Sequence, residues 1–391
     1  MNHEESSPTV EEILVTALKW AENRDYSGWD YADGLSSPVA RYVNYSNIGK
    51  LALQEGIKRF PLNIRPLFCV PQRRSFKGAA LFLMANLWTY DCTENPQYLA
   101  AATELGNWLL DNQNSESFGW GHNHALQTLS GTIPRNTPSV VTTGFVTEAL
   151  LALGAYRTIP FLDGLPEQVE TFVLEDLAYT RTKHGATISY RKNGKRPPKI
   201  VNANALGGKL LCSIAAGCDR PDLLDLAEPL FEYVASEQTA AGGWQYADPP
   251  STSHLSMDPH HNGFILDSFL AFRDVANSDQ FNEVISTGFD CFREHLFEPT
   301  GAPRWDEKKA YPHDIHAAAQ GIITATKIGD FEFATRVIDW TVSSLYHPEG
   351  RFGYRVGRYY TRKYTLMRWA QAWMCYALAH YCRTNQSQSS G

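Results

Sequence analysis

Six stretches of the chain are small or apolar at nearly every position. Between them run stretches in which apolar residues recur at helical spacing opposite charged ones. The uniform stretches are SFKGAALFLMANLWTY, TPSVVTTGFVTEALLAL, VNANALGGKLLCSIA, HHNGFILDSFLAF, HDIHAAAQGIITAT and LMRWAQAWMCYALAHY, beginning near residues 76, 139, 201, 261, 314 and 367. The unit therefore recurs every 53 to 63 residues, a period that points to repeated supersecondary units. Most of the uniform stretches follow a loop rich in Gly and aromatic residues, such as FGWGHNHAL, GGWQYADP or GRFGYRVGRYY. The amphipathic series is headed by VARYVNYSNIGKLALQEGIKRF and continues through NPQYLAAATELGNWLLDNQ, PEQVETFVLEDLAY, PDLLDLAEPLFEYVASEQ, SDQFNEVISTGFDCFREHLF and DFEFATRVIDWTVSSLY.

A helix that is apolar all round must be buried all round, whereas an amphipathic helix needs one solvated face. Closing six hairpins, each of one uniform and one amphipathic helix, into a ring meets both demands. The chain thus reads as all-α, a single (α/α)6 toroid over residues 1–391. Residues 9–24 are expected as an added N-terminal helix, opened by a capping box of Thr9 and Glu12. Asn95 is the expected cap of a helix with Pro96 in its first turn. Residues 384–391 are expected to form a flexible tail. No strand-rich segment stands out.

In such a ring the loops ahead of the inner helices gather at one end, around the axis. Here composition adds to the picture. The chain carries a net charge of −7, yet the stretches 63–77, 181–199 and 350–369 hold 17 of its 35 Lys and Arg and no Asp or Glu. The bases are Arg65, Arg73, Arg74, Lys77, Arg181, Lys183, Arg191, Lys192, Lys195, Arg196, Lys199, Arg351, Arg355, Arg358, Arg362, Lys363 and Arg368. Solvated loop tips would draw on acids as freely as on bases. A concave site of one sign attracts anions whatever the net charge outside it, and inner-helix N-termini add partial positive charge. Rings beside bases suit sugars, whose C–H faces stack on aromatics while carboxylates pair with Arg. The acidic net charge and lack of a basic face exclude nucleic acid as partner. No apolar run approaches a membrane span. The polar N-terminus MNHEESSPTVEE is no signal peptide, and seven scattered Cys without CxxC spacing fit a reducing, cytoplasmic setting. A homodimer is compatible with all of this.

Seven of the twelve His fall in these loops or just inside the helices: His122, His124, His254, His260, His261, His313 and His316. DPHHNG and YPHDIH could supply metal ligands, but the spacing matches no metal motif, so no metal or cofactor is expected. Proton transfer or hydrogen bonding to substrate suits them better. Gln238, Gly242 and Trp244 have the Q-x3-G-x-W spacing of triterpene cyclases. The acid cluster such enzymes need is absent, and the motif reads as a tie between a helix end and its loop. No phosphate loop, dinucleotide fingerprint, GxSxG or HExxH occurs, and the paired carboxylates of glycosidases are scarce.

The segments WDYADGLSSP, NIRPL, TPSVVTTGF, SYRKNGKRPPKIVNANALGG, HHNGFILDSF, YPHDIHAAAQGIIT and YTLMRWAQAWMCYALA resemble α/α-toroid proteins of bacterial and archaeal polysaccharide gene clusters, over nearly the whole chain. ATISYRKNG…NANALGG and GRFGYRV…MRWAQAW are also similar to the catalytic domain of D-glucuronyl C5-epimerases, where a loop Tyr and Arg precede a helix with polar groups facing the cleft. That resemblance implies C5 epimerisation of a uronate within an anionic glycan. Removing C5–H builds negative charge on the neighbouring carboxylate, which Arg and His must stabilise, while an acid and a base exchange the proton. Candidates for acid and base are Tyr190, Tyr246, His261, Tyr311, His313, Tyr354 and Tyr360. Candidate anion clamps are Arg135, Arg191, Arg358, Arg362 and Arg368, and Trp120, Trp244 and Trp305 are candidate sugar platforms. His124, Asn204, His260, Arg304, Asp314 and His316 complete the expected binding set. A lyase or hydrolase on the same toroid, a non-catalytic glycan-binding protein and a terpenoid cyclase are the alternatives.

Overall fold

The computed structural model describes residues 8–114, 116–192 and 199–389; Lys195 and Arg196 of the second basic stretch lie outside them. The chain passes through α1 (Val10–Glu22) and α2 (Asn47–Arg59). Five helical hairpins follow: α3 (Phe76–Thr93) with α4 (Pro96–Asp111), α5 (Val140–Gly154) with α6 (Leu165–Thr171), α7 (Val201–Gly217) with α8 (Leu224–Ser236), α9 (Pro259–Ala276) with α10 (Asn282–His295), and α11 (Ile315–Ile328) with α12 (Phe331–Leu345). A π-helical turn, Met367–Ala372, then leads into α13 (Trp373–Ser389). The odd-numbered helices from α3 to α13 pack each on the next, and α13 closes on α3. The (α/α)6 toroid expected from the repeat is the observed fold, and its inner helices begin close to the expected positions.

Burial separates the two layers. Thirteen of the eighteen residues of α3 are buried. In α12 only Phe333, Ala334, Val337, Ile338, Thr341 and Leu345 are, which is one helical stripe. Small residues let inner helices approach closely: a Cβ on Gly263 of α9 would meet Gln320 Cγ of α11 at 2.3 Å. The capping box forms, with Thr9 Oγ1 accepting from Glu12 N and Glu12 Oε2 accepting from Thr9 N. Asn95 caps α4 as expected.

The sixth outer helix differs from the expected one. It is α1, laid against α13 through Ile13, Leu14, Ala17, Leu18 and Ala21. Gln371 clasps that seam by donating to Ala17 O at 3.0 Å and Gly350 O at 2.7 Å. The segment 39–60, expected in that place, supplies α2, which buries only Gln54 and Ile57. It lies on the turn Asp33–Ser36 and the strand Leu126–Thr128. A continuous apolar stripe decides which helix the ring accepts, and α1 has it. Of the tail expected over residues 384–391, residues 384–389 continue α13 as helix, and 390–391 lie outside the described residues.

Short antiparallel ribbons stitch the loops at the N-terminal end of the inner ring. Lys199–Ile200 pairs with Ala247–Asp248, and Arg355–Val356 pairs with both His313–Asp314 and Thr361–Arg362. Among the described residues no helix is long and apolar enough to cross a membrane.

Candidate active site

The gathered loops and inner-helix N-termini enclose a cavity of about 350 Å3. Six of the seven singled-out histidines line it, with His313 the exception. The cavity floor is built at the start of α9. Asp258 caps that helix, its Oδ1 accepting from His261 N at 3.0 Å. The same carboxylate meets His261 Nδ1 at 2.6 Å and His260 Nδ1 at 3.0 Å. Burial alone would raise the Asp258 pKa; the two imidazoles outweigh it and hold the carboxyl well below the usual range. For His261 burial wins over Asp258 and pulls the pKa down to about 4. His261 is thus neutral near pH 7, with Nδ1–H on Asp258 and a free lone pair on Nε2. The donor atoms of Asp258, His260 and His261 lie within 4.8 Å of one another, close enough for a metal ion; in this structure both carboxylate oxygens engage the Nδ1 atoms.

His316, in the first turn of α11, stacks between His260 (ring centroids 4.7 Å) and Trp373 (4.5 Å). It is buried, and neither ring nitrogen has a hydrogen-bond partner. Burial, then the charges of His260, Lys77 and Arg368, put its pKa well below the ordinary value. His122 and His124 enter ahead of α5 with their rings 5.5 Å apart. Both are neutral chiefly through burial, His124 with a pKa of about 4. Gly121 sets this turn, since a Cβ there would lie 2.0 Å from Thr137 O. Gly121→Ala is expected to cost about 1–3 kcal/mol in a denaturant melt and to displace both histidines, lowering activity.

Two basic side chains in the cavity have no carboxylate partner among the described residues, Lys77 and Arg191. The Lys77 Nζ sits 4.8 to 5.2 Å from the rings of Phe145, Trp373 and Phe264. Burial and then Arg368 lower its pKa well below the ordinary value. Arg368 is paired with buried Asp30 through two 2.8 Å contacts. Tyr190 and Tyr246 also line the cavity, and burial raises both pKa values, so both phenols stay protonated. The Tyr246 ring lies 4.6 Å from that of His261.

Asp314 is the main structural joint of the wall. It caps α11 at His316 N, accepts from Trp369 Nε1 at 2.8 Å, and holds Arg355 through Nε at 2.7 Å and Nη2 at 2.5 Å. Arg355 in turn lies 4.7 Å over the Trp305 ring. Arg304, also in the lining, pairs with Glu298 at 2.7 Å.

Of the expected site residues, the cavity brings together Tyr190, Tyr246, His124, Arg191, His260, His261, Arg304, Trp305, Asp314, His316 and Arg368. Others lie elsewhere. Trp120 and Trp244, expected as sugar platforms, are buried wedges that donate to Leu109 O and Val234 O of the preceding outer helices. Gln238 beside Trp244 ties the helix end to its loop through Gly242 O, as its motif implied. Asn204 bridges Ile200 O and Ile188 N. His313 is buried with Nδ1 on Pro303 O at 2.7 Å, and Tyr354 is buried against Tyr31 and Tyr364. Arg135 is exposed. Tyr311, Tyr360, Arg358 and Arg362 line a second, outer cavity.

Sequence reasoning left Lys77, Asp258, Arg355 and Trp369 out of the candidate acid, base and binding residues, along with Tyr31, Lys58 and Asn202, all in the lining, and Asp30 behind it. Lys77 had a usable signal, a single charge at the head of an otherwise apolar inner helix. Asp30 and Tyr31 had none, because only the fold carries them to Arg368 and Trp369, which stacks on Tyr31 at 4.2 Å.

The neutral imidazoles set an expected pH dependence. His124 and His261 have folded pKa values of about 4 against an ordinary 6.5. Between those values the unfolded chain binds more protons, so stability rises with pH across that window and is lost as pH falls from 6.5 towards 4. Depressed Asp258 acts in the same direction. Thermal melts from pH 7 to 4 should show a falling Tm; a flat Tm would contradict neutral buried imidazoles.

Neither a protein-family model nor a curated protein sequence matches the chain. Solved structures match its fold. A cellobiose 2-epimerase from Spirochaeta thermophila is 13% identical, with a TM-score of 0.60 over 81% of this chain and 87% of that one. A cellobiose 2-epimerase from Bacillus thermoamylovorans is 11% identical, with a TM-score of 0.63 over 81% and 88%. A possible member of the GH105 family from Salmonella enterica is 13% identical, with a TM-score of 0.64 over 98% and 97%. At these identities the likeness is one of fold.

Proposed function

We propose that this toroid is a carbohydrate-active enzyme of the epimerase or isomerase type, moving a proton at a sugar carbon, and that its substrate is an anionic glycan epimerised at C5 of a uronate. One combination carries the proposal: imidazoles kept neutral by burial share a cavity with the Arg191 guanidinium and the Lys77 amine, neither with a carboxylate partner among the described residues. The volume, about 350 Å3, falls in the range of small-molecule sites, roughly 300–1,000 Å3. Two toroids of similar fold are sugar 2-epimerases by name, which supports proton transfer on a sugar.

Abstraction of C5–H develops negative charge on the adjoining carboxylate; Arg191 is placed to stabilise it, and the buried Lys77 amine is placed to donate a hydrogen bond to it. His316, with both nitrogens free, is the base on one side. In the closed ring of six, α5 and α11 stand three places apart, on opposite sides of the axis. His122 and His124, on the loop ahead of α5, line the same cavity, and Asn123 between them donates to Arg74 O at the start of α3. Tyr190 or Tyr246, whose phenols keep their protons, gives its proton to the other face of the carbon and inverts it, the proton taken by His316 and the phenolate left on Tyr being exchanged with water before the next turnover. Four arginines in the lining, Arg191, Arg304, Arg355 and Arg368, disfavour a terpenoid carbocation.

Incubation with uronate oligosaccharides in D2O tests this. Deuterium at C5 of an intact chain is the expected result. A new unsaturated end would mean a lyase, and deuterium at C2 of a reducing sugar would replace the uronate reading with 2-epimerisation. No exchange in any sugar would overturn the enzymatic reading.

A further inference from the structure

The outer cavity, about 220 Å3, is lined by Tyr311, Arg355, Arg358, Tyr359, Tyr360 and Arg362 with Pro312 and Gly357, and no acid is among them. Arg355 lines the main cavity as well, so the two share a wall. Three of the lining rings are open to solvent, Tyr311 at 43%, Tyr359 at 86% and Tyr360 at 48%. Neither Arg358 nor Arg362 has a carboxylate partner among the described residues. Arg362 is nonetheless held in place, donating to Arg59 O at 2.7 Å and Tyr360 Oη at 3.2 Å. The hairpin tip that carries them is closed by Gly357 N on Tyr360 O and anchored by its strand to His313–Asp314, next to the first turn of α11.

Exposed rings clustered around cations without counter-charges are poorly explained by packing or by solubility. They match what an acidic sugar chain needs, a C–H face stacked on a phenol ring and a carboxylate on a guanidinium. We propose that this pocket is an outer subsite for uronate residues adjoining the reacting sugar, so that the substrate is an anionic oligosaccharide or polysaccharide rather than a monosaccharide. The proposal rests on the reading of the main cavity as a glycan site.

The test is binding of dimers and hexamers by titration calorimetry, using oligogalacturonates, alternating glucuronate–hexosamine oligosaccharides and, as uncharged control, cello-oligosaccharides. In the intact protein the hexamer of a uronate series should bind about tenfold tighter than its dimer, or more, and added salt should shrink the gain. In the Arg358→Ala/Tyr359→Ala variant, altered only at exposed positions, that ratio should fall towards one. A uronate dimer that binds without any gain in the hexamer, or a gain the variant keeps, would overturn the subsite while leaving the main cavity reading intact. An equal, salt-independent gain in the neutral series would overturn the anionic ligand. Binding of neither charged nor neutral sugars would overturn both readings together.

Discussion

His316→Gln is expected to lower the rate of proton exchange by about 10²- to 10⁴-fold, the usual contribution of a positioned general base. His316 is buried between His260 and Trp373, with Trp369 edge-on at 4.6 Å. Neither nitrogen is bound within the protein and both are buried, so a substrate that opens the ring stack meets an unoccupied lone pair. Glutamine fills a similar volume and cannot accept the proton. The loss should therefore appear in kcat, with KM little changed, because the missing interaction is made only as the proton moves. His313→Gln is the comparison. That ring lies outside the cavity and supports Pro303 O, so the variant should lose melting temperature rather than rate. A His316→Gln enzyme within tenfold of the unaltered rate would transfer the role to His261, whose Nε2 is left free by the Asp258 contact.

Asp314→Ala is expected to cost about 3–5 kcal/mol, the range for breaking a buried ion pair by removing one partner. The substitution leaves Arg355 as an uncompensated charge, with only 11% of its side chain exposed. It also removes the α11 cap and the acceptor for Trp369. Asp314→Asn keeps an oxygen for the cap and the indole, so its loss in a denaturant melt should be smaller. An Asp314→Ala protein within about 1 kcal/mol of the parent would mean that Arg355 finds solvent or another partner. Because Asp314 was expected to touch substrate, the two substitutions also separate that role from wall-building. Where building the wall is its task, activity should follow the folded fraction.

The toroid was readable because its physical signal is local and repeated. A stretch such as HAAAQGIITAT has no face that could be left in water, whatever its neighbours are. Caps such as Thr9 with Glu12 and Asn95 were readable for the same reason, since they act within one turn. Trp120 and Trp244 show where local reading stops. A tryptophan after Gly in a loop looks the same whether it stacks on a sugar or wedges against an outer helix. The indole hydrogen bonds to Leu109 O and Val234 O decide that it wedges.

By itself the chain determined the number and order of its inner helices, the end at which its loops gather, and the excess of bases and histidines there. Each of these follows from residue type at fixed spacing. Tertiary structure alone decided that α1 rather than α2 completes the ring, because that depends on which apolar stripe fits α13. It decided which basic groups are left open to a ligand: Asp30, from a loop far away in sequence, neutralises Arg368, while Lys77 and Arg191 are left without a carboxylate among the described residues. It also divided the last basic loop between two cavities, since Arg355 pairs inward with Asp314 while Arg358 and Arg362 face the outer pocket. Pairing, burial and the pKa values they set depend on distances across the ring, and those exist only once the ring has closed.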